Sequence, residues 1–353
     1  HETVQGQQTY KSIEEIGARV DMAVIATRPQ SIPKIMEQCG RSGVRNVIIV
    51  SSGFSESGHV GAALQRKVLE IARAYNVRIL GPNCLGIIRP DIGLNATFAT
   101  VTASRGNLAL VSQSGAICSA VLDWAKSNQI GFSSVISLGM TADIEFGEIL
   151  DYLIYDNRTH YILMYVEGIR NARRFMSALR SAARIKPIIL LKSGRHEAGS
   201  IAASTHSGMA AVSDSVFEAA VRRAGVVRVS NIGQLFYAAK ALGSKFRPQG
   251  NRLAIITNGG GPGAMAADRA GDLGIPLAQL SAERRRDGAG QHARGLGSEP
   301  EAGRAGRRGG GVRRGAAPSG GGGGRWRRRL RHHFFGLGRG ERPRRQLRPD
   351  QGG

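Results

Sequence analysis

Cysteine is scarce: Cys39, Cys84 and Cys118 are the only three in 353 residues. Thiols this few and this scattered give neither a disulfide framework nor a zinc cluster. No metal site is expected, and a reducing compartment is the default. Aromatic residues are also few, at 5%. No run of 18 or more apolar residues occurs, which argues against a membrane-spanning helix. His1 opens the chain in place of a methionine, and no charged-then-apolar leader follows it. These shortages together predict a cytoplasmic protein with no membrane partner.

Acidic residues are the next shortage. The chain carries 49 Lys and Arg against 26 Asp and Glu, a formal net charge of +23. Such an excess usually points to nucleic acid. Here it is uneven. Residues 284–353 hold 19 Arg and 5 acids, and 39 of those 70 residues are Arg or Gly. The same segment has no Lys, Asn, Ile, Met, Tyr, Thr or Cys. A stretch so poor in apolar residues cannot offset its chain entropy by burial, so a disordered tail is expected. Two origins fit it. A genuine Arg/Gly arm would bind RNA through phosphate contacts. A change of reading frame in GC-rich DNA would give the same composition, since most of the missing residue types have AT-rich codons. The abrupt end of ordinary globular sequence at Glu283 favours the second origin. Nucleic acid is therefore not the expected partner.

Before residue 284 the apolar residues follow two rhythms. Short apolar segments at 23–26, 46–50, 77–80, 108–111, 135–137, 162–166, 187–191 and 253–256 predict strands. Amphipathic segments at 31–39, 62–75, 116–127, 144–155, 172–183, 214–224 and 232–242 predict helices. Strand, helix, strand at this spacing predicts an α/β fold, a parallel sheet with helices on both faces. Ligands of such sheets sit in the turns beyond the carboxyl ends of the strands.

Four turns carry candidate chemistry. Val111-Ser112-Gln113-Ser114-Gly115 ends a strand and opens a helix. Small hydroxyl residues and a glycine there make an anion site, because free amides and the helix dipole face one point. Plain N-capping by a serine is the simpler alternative. Ala203-Ser204-Thr205-His206-Ser207-Gly208 sets a histidine among residues small enough for a phosphate to approach. A neutral imidazole nitrogen is a competent nucleophile near neutral pH, so phosphohistidine chemistry is open to His206, as is the role of a solvated loop residue. Glu167 ends the strand at 162–166 and precedes Gly168. Its carboxylate can hold one ring nitrogen of His206 and free the other, or it can cap the next helix. Thr257-Asn258-Gly259-Gly260-Gly261-Pro262-Gly263 is a second Gly-rich turn of the phosphate-binding type.

Taken together with Ala23-Val24-Ile25-Ala26-Thr27, Ser51-Ser52-Gly53-Phe54-Ser55-Glu56, Gly81-Pro82-Asn83-Cys84-Leu85-Gly86 and Tyr165-Val166-Glu167-Gly168-Ile169, these turns form a specific set. In order and spacing, residues 1–283 resemble the NDP-forming acyl-CoA synthetases, relatives of succinyl-CoA synthetase. The nearest type is the acetate–CoA ligase (ADP-forming), which includes long proteins with an added acetyltransferase domain. The resemblance implies an incomplete Rossmann-like CoA-binding domain at 1–100. It implies a flavodoxin-like, doubly wound parallel-sheet domain with the phosphohistidine at 101–245. The start of a second flavodoxin-like domain would follow at 250–283, then the tail at 284–353.

The resemblance also implies a reaction: acyl-CoA, ADP and phosphate are interconverted with a carboxylic acid, CoA and ATP through an acyl phosphate and a phosphohistidine. His206 matches the phosphorylated histidine and Glu167 the carboxylate that steadies it. Ser112, Ser114 and Gly115 match the helix N-terminus that holds the phosphoryl group. Thr27, Gly53 and Asn83 match the region around the thiol end of CoA. The implied small molecules are CoA, phosphate and a short acid such as acetate. ATP or ADP, with Mg2+, would enter through an ATP-grasp domain or subunit that this sequence lacks.

Departures accompany the match. The family's first strand and Gly-rich CoA turn are absent, so weak CoA affinity is expected. Gly139-Met140-Thr141-Ala142-Asp143 stands where the family often has Gly-Asn before Ala-Asp, and Thr205-His206-Ser207-Gly208 replaces Ser-His-Thr-Gly. These departures predict a fragment inactive for the full reaction by itself. A non-catalytic module sensing CoA or acyl-CoA for a protein acetyltransferase is the second reading. RNA binding through the tail is the last.

Overall fold

A computed structural model describes residues 3–196, 199, 213–243 and 250–279. The chain divides into two compact units, His1–Gln249 and Gly250–Gly353. A two-rung hairpin, β1 (Thr3–Val4) with β2 (Gln7–Gln8), opens the first unit. Then come β3 (Met22–Ile25), α1 (Ile32–Arg41), β4 (Asn46–Ile49), α2 (His59–Ala74) and β5 (Arg78–Leu80). These three strands form a parallel sheet in the order β3-β4-β5. Apolar positions recur along α1 so that Ile32, Met36 and Cys39 fall on one stripe, and all three are fully buried with Val47, Ile49 and Ile79.

The rest of the first unit builds a second sheet. Its strands are β6 (Gly86–Arg89), β7 (Leu94–Thr97), β8 (Arg105–Ser112), β9 (Phe132–Ser137), β10 (Tyr161–Val166), β11 (Ile188–Lys192) and β12 (Val227–Val229). Its helices are α3 (Gly115–Ser127), α4 (Phe146–Tyr155), α5 (Ala172–Ala183), α6 (Asp214–Arg223) and α7 (Ile232–Gly243). The strand order is β12-β11-β10-β8-β9-β6-β7. Strands β8 to β12 all pair parallel with one another.

Alternation explains why both faces are covered. On β10, Ile162, Met164 and Val166 join a cluster with Phe146, Leu150, Phe175, Leu179, Phe217 and Val221 from α4, α5 and α6. Leu163 joins the opposite cluster with Val121, Leu122, Leu235 and Ala239 from α3 and α7. Strands buried on both faces read as continuous apolar runs, which is how Tyr-Ile-Leu-Met-Tyr-Val reads. Each fully buried large side chain contributes about 1.5–3 kcal/mol. Trp124 of α3 stacks on Phe236 of α7 with centroids 4.4 Å apart, closing the second face.

To the expected parallel strands the structure adds an antiparallel edge. The strand β6 runs antiparallel to both β9 and β7. Residues 86–97, assigned by the sequence to the first domain, thus add a hairpin to the edge of the second sheet. Each arm has only four residues around Pro90-Asp91-Ile92-Gly93, too short for a period to show. The three-residue β12 escaped for the same reason.

In the second unit, α8 (Gly260–Asp272) begins inside the Gly-rich segment 257–263, with Gly259 at its N-cap. The strand expected at 253–256 is reduced to one parallel bridge, Leu253 to Leu277. An extended segment becomes a strand only where neighbours pair with it, and here the backbone bonds are two: Leu253 N–H to Pro276 O (2.9 Å) and Ala278 N–H to Leu253 O (2.8 Å). Among the described residues, no helix is long and apolar enough to cross a membrane.

Candidate functional site

Written in chain order, the parallel strands of the large sheet run second, first, third, fourth, fifth (β9-β8-β10-β11-β12). The order reverses between β8 and β10. Connections leave these two strands toward opposite faces, opening a crevice at their carboxyl ends. The turn at 112–115 leaves β8 there, and Glu167 leaves β10 there. The last backbone rung between the two strands pairs Tyr165 with Ser112.

The 112–115 turn is held by its own hydroxyls. Ser112 Oγ, fully buried, accepts from Ser114 N–H (3.0 Å) and donates to Ser114 O (2.9 Å). Ser114 is the N-cap of α3 and accepts from Ile117 N–H (3.3 Å). The simple capping role is therefore real for Ser114. It leaves the anion role intact, because the Gly115 and Ala116 amides belong to a first turn that has no intrahelical acceptor, and the dipole adds a positive field.

Glu167 is half-buried. It does not cap the following helix: Asn171 does, accepting from Arg174 N–H (3.0 Å). Gln113, quoted in the sequence only as part of a motif, binds the Glu167 backbone through its side chain. Its Oε1 accepts from Glu167 N–H (2.6 Å) and Gly168 N–H (3.1 Å), and its Nε2 donates to Gly168 O (3.0 Å).

Two further neighbours were missed in the sequence. Lys192 ends β11 in register with Val166, the residue before Glu167. Burial holds its ammonium below the usual lysine range, opposed by Asp214. Its Nζ donates to Ser193 O (2.8 Å). It was hidden at the end of an apolar run. Beneath the 112–115 turn lies Cys118, pushed up to about 12 by burial despite hydrogen bonding from Ser112 and Ser137. Cys84 is likewise raised to about 12, and Cys39 to about 11, burial leading in each case. All three thiols stay protonated near neutral pH, which removes them as nucleophiles. Among the described residues, no group of three or more His, Cys, Asp or Glu could hold a metal ion.

Thr27, Gly53 and Asn83 come together at the carboxyl end of the small sheet. Ser51 Oγ donates to Thr27 O (2.6 Å), and Asn83 N–H donates to Ser51 O (3.0 Å). Gly53 has φ +103°, and a Cβ there would lie 2.6 Å from Pro29 Cγ, so only glycine fits the turn. The 139–143 loop, flagged earlier only as a departure, ties this cluster to the large sheet. Met140 N–H donates to Pro82 O (2.9 Å), Ala142 N–H to Gly81 O (3.0 Å), and Arg170 Nη2 to Met140 O (3.3 Å). Asp143 accepts from Arg78 Nε (2.9 Å) and Ile79 N–H (2.8 Å). His206, with Thr205, Ser207 and Gly208, lies outside the described residues.

Comparison with known proteins agrees with this geometry. Residues 1–90 match the family model described as a CoA binding domain, and residues 105–242 match the succinyl-CoA ligase like flavodoxin domain. The class is a CoA-binding domain joined to a succinyl-CoA-ligase-type flavodoxin domain. The chain is 44% identical over 280 residues to acetate–CoA ligase (ADP-forming) I of Archaeoglobus fulgidus, covering 79% of this chain and 41% of that one. It is 44% identical over 270 residues to the acetate–CoA ligase (ADP-forming) I subunit alpha of Pyrococcus furiosus, covering 76% and 58%. A solved structure of the dinucleotide-forming acetyl-coenzyme A synthetase 1 of Ca. Korarchaeum cryptofilum, in complex with phosphate and ADP, superposes with a TM-score of 0.75 at 34% identity, covering 80% and 61%. Over residues 1–242 the chain thus matches these two domain models in succession, and over 270–280 residues it is similar to ADP-forming acetate–CoA ligases. It spans about two to three fifths of the length of these relatives.

Proposed function

We propose that this chain is the CoA-binding and phosphoryl-carrying part of an ADP-forming acyl-CoA synthetase. The observation that carries the reading is the meeting of the 112–115 anion turn with Glu167 at the switch point of the large sheet. Phosphate attacks the thioester carbonyl, the C–S bond breaks, and CoA leaves as the thiolate, which takes up a proton. Thr27, Gly53 and Asn83 hold the thiol end of CoA in that step. One imidazole nitrogen of His206 then attacks the phosphorus of the acyl phosphate. An N–P bond forms, the P–O bond to the acyl oxygen breaks, and the carboxylate leaves. Glu167 accepts the N–H of the other ring nitrogen and supports the positive charge that develops there. The amides of Gly115 and Ala116 receive the phosphoryl oxygens. A terminal oxygen of ADP finally attacks the phosphohistidine, the N–P bond breaks and ATP forms. That nucleotide site belongs to an ATP-grasp domain or subunit, and acetate is the acid by analogy with the relatives' names.

The test is isotope exchange. Labelled CoA, supplied at high concentration, should enter acetyl-CoA in the presence of the chain, and only when phosphate is present. Binding of CoA without phosphate-dependent exchange would make the chain a sensing module instead.

A further inference from the structure

We infer that Gln113 is the positioning residue that fixes Glu167 relative to the phosphoryl-binding turn. The inference rests on the function proposed above and goes beyond it, since it names a residue that acts through Glu167.

Strands β8 and β10 diverge at their carboxyl ends. Past the Tyr165–Ser112 rung the two chains part, so backbone pairing ends where the carboxylate must be held. Gln113 N–H adds one more bond across the gap, to Tyr165 O (3.2 Å). Its side chain continues the ladder. One carboxamide oxygen takes two successive amides, at 2.6 and 3.1 Å, and the carboxamide N–H takes the carbonyl of the second residue at 3.0 Å. A primary amide is the side-chain group that can accept two bonds and donate one in this plane.

Gln113 is 4% exposed and Gly168 is buried, so water has little access to replace these bonds. Residue 113 also lies inside the phosphoryl turn, between Ser112 and the N-cap Ser114. A single buried side chain therefore ties the segment that receives the phosphoryl group to the one that carries the carboxylate. Positioning of this kind acts on rate, because a displaced orienting carboxylate no longer supports the imidazole as it is attacked.

The experiment follows transfer of the labelled phosphoryl group of acetyl phosphate to the whole chain. In Gln113→Leu the maximal rate should fall about tenfold while the half-saturating acetyl phosphate concentration stays unchanged. Gln113→Glu keeps both accepting bonds and should recover part of that loss. It also serves if the leucine variant fails to fold. Combined with Glu167→Gln, the Gln113→Leu change should add no further loss, because it acts through the carboxylate. If the two losses multiply, or if half-saturation rises and the maximal rate holds, the role of Gln113 is overturned while the function stands. A wild-type chain that takes up no label removes the function and this role together.

Discussion

Gly139 shows how much a single residue decides in this molecule. Its φ is +56°, and a Cβ there would sit 2.3 Å from Pro82 O and 2.5 Å from Asn83 O. The backbone of the 139–143 loop can lie against the 81–83 turn only because nothing projects from this position. Gly139→Ala should therefore lower stability by about 3 kcal/mol, through the left-handed backbone and the clash together. Chemical denaturation checks this, and a midpoint equal to the wild type's would show that the loop relaxes freely. At this scale the sequence was legible where local chemistry is self-contained. The Ser112 and Ser114 hydroxyls bond backbone groups within three residues, so hydroxyl, spacer, hydroxyl, glycine after a strand announced the turn. Gln113 was not legible, since its partners lie 54 and 55 residues away and a glutamine in a turn looks solvent-facing.

Among the elements, the corner formed by β11, α6 and β12 is held by charge. Arg228 of β12, nearly buried, pairs with Asp214 at the start of α6 and with Glu218 (2.8 Å) one turn on, and its guanidinium lies 5.4 Å over the Phe217 ring. Burial works against the Asp214 charge, yet the hydrogen bond and charge of Arg228, with help from Lys192, hold its carboxyl below the usual range. A depressed carboxyl contributes stability that is present above its unfolded value near 4 and is lost as pH falls through the folded value. Arg228→Leu should lower stability by about 2 kcal/mol at pH 7, and by less at pH 3 as Asp214 takes up its proton. A loss that does not shrink with acid would rule out the ion pair as its cause. Long periodic elements such as α2, α5 and β10 were readable from the sequence within a few residues. The hairpin at 86–97 was not, because four-residue arms show no period and their pairing is decided by the exposed edge of β9, far along the chain.

At the scale of the whole molecule, the small and the large sheet of the first unit each present a set of turns, and the 139–143 loop fastens one set to the other. Arg78 on the small sheet pairs with Asp143 (2.9 Å) and Glu148 (3.5 Å), and Arg174 on α5 pairs with the same Glu148 (2.9 Å). Cluster and crevice are thereby held in one frame, as the proposed reaction requires if an acyl phosphate formed at the cluster is to give its phosphoryl group up at the crevice. The motif set made the resemblance legible, because seven short segments in a fixed order are specific where each alone is not. The tie between the two sheets was illegible, since its backbone bonds and its Arg78–Asp143 pair join residues far apart in the chain, 65 positions in the case of the ion pair. The measurement that tests the central claim most directly is to locate the phosphoryl group. The chain is incubated with labelled acetyl phosphate, digested under alkaline conditions, and the labelled peptide identified. The account predicts an acid-labile, base-stable label on the peptide containing His206, absent in His206→Asn and reduced in Glu167→Gln. A label on any other residue, or equal labelling of the His206→Asn chain, would contradict it.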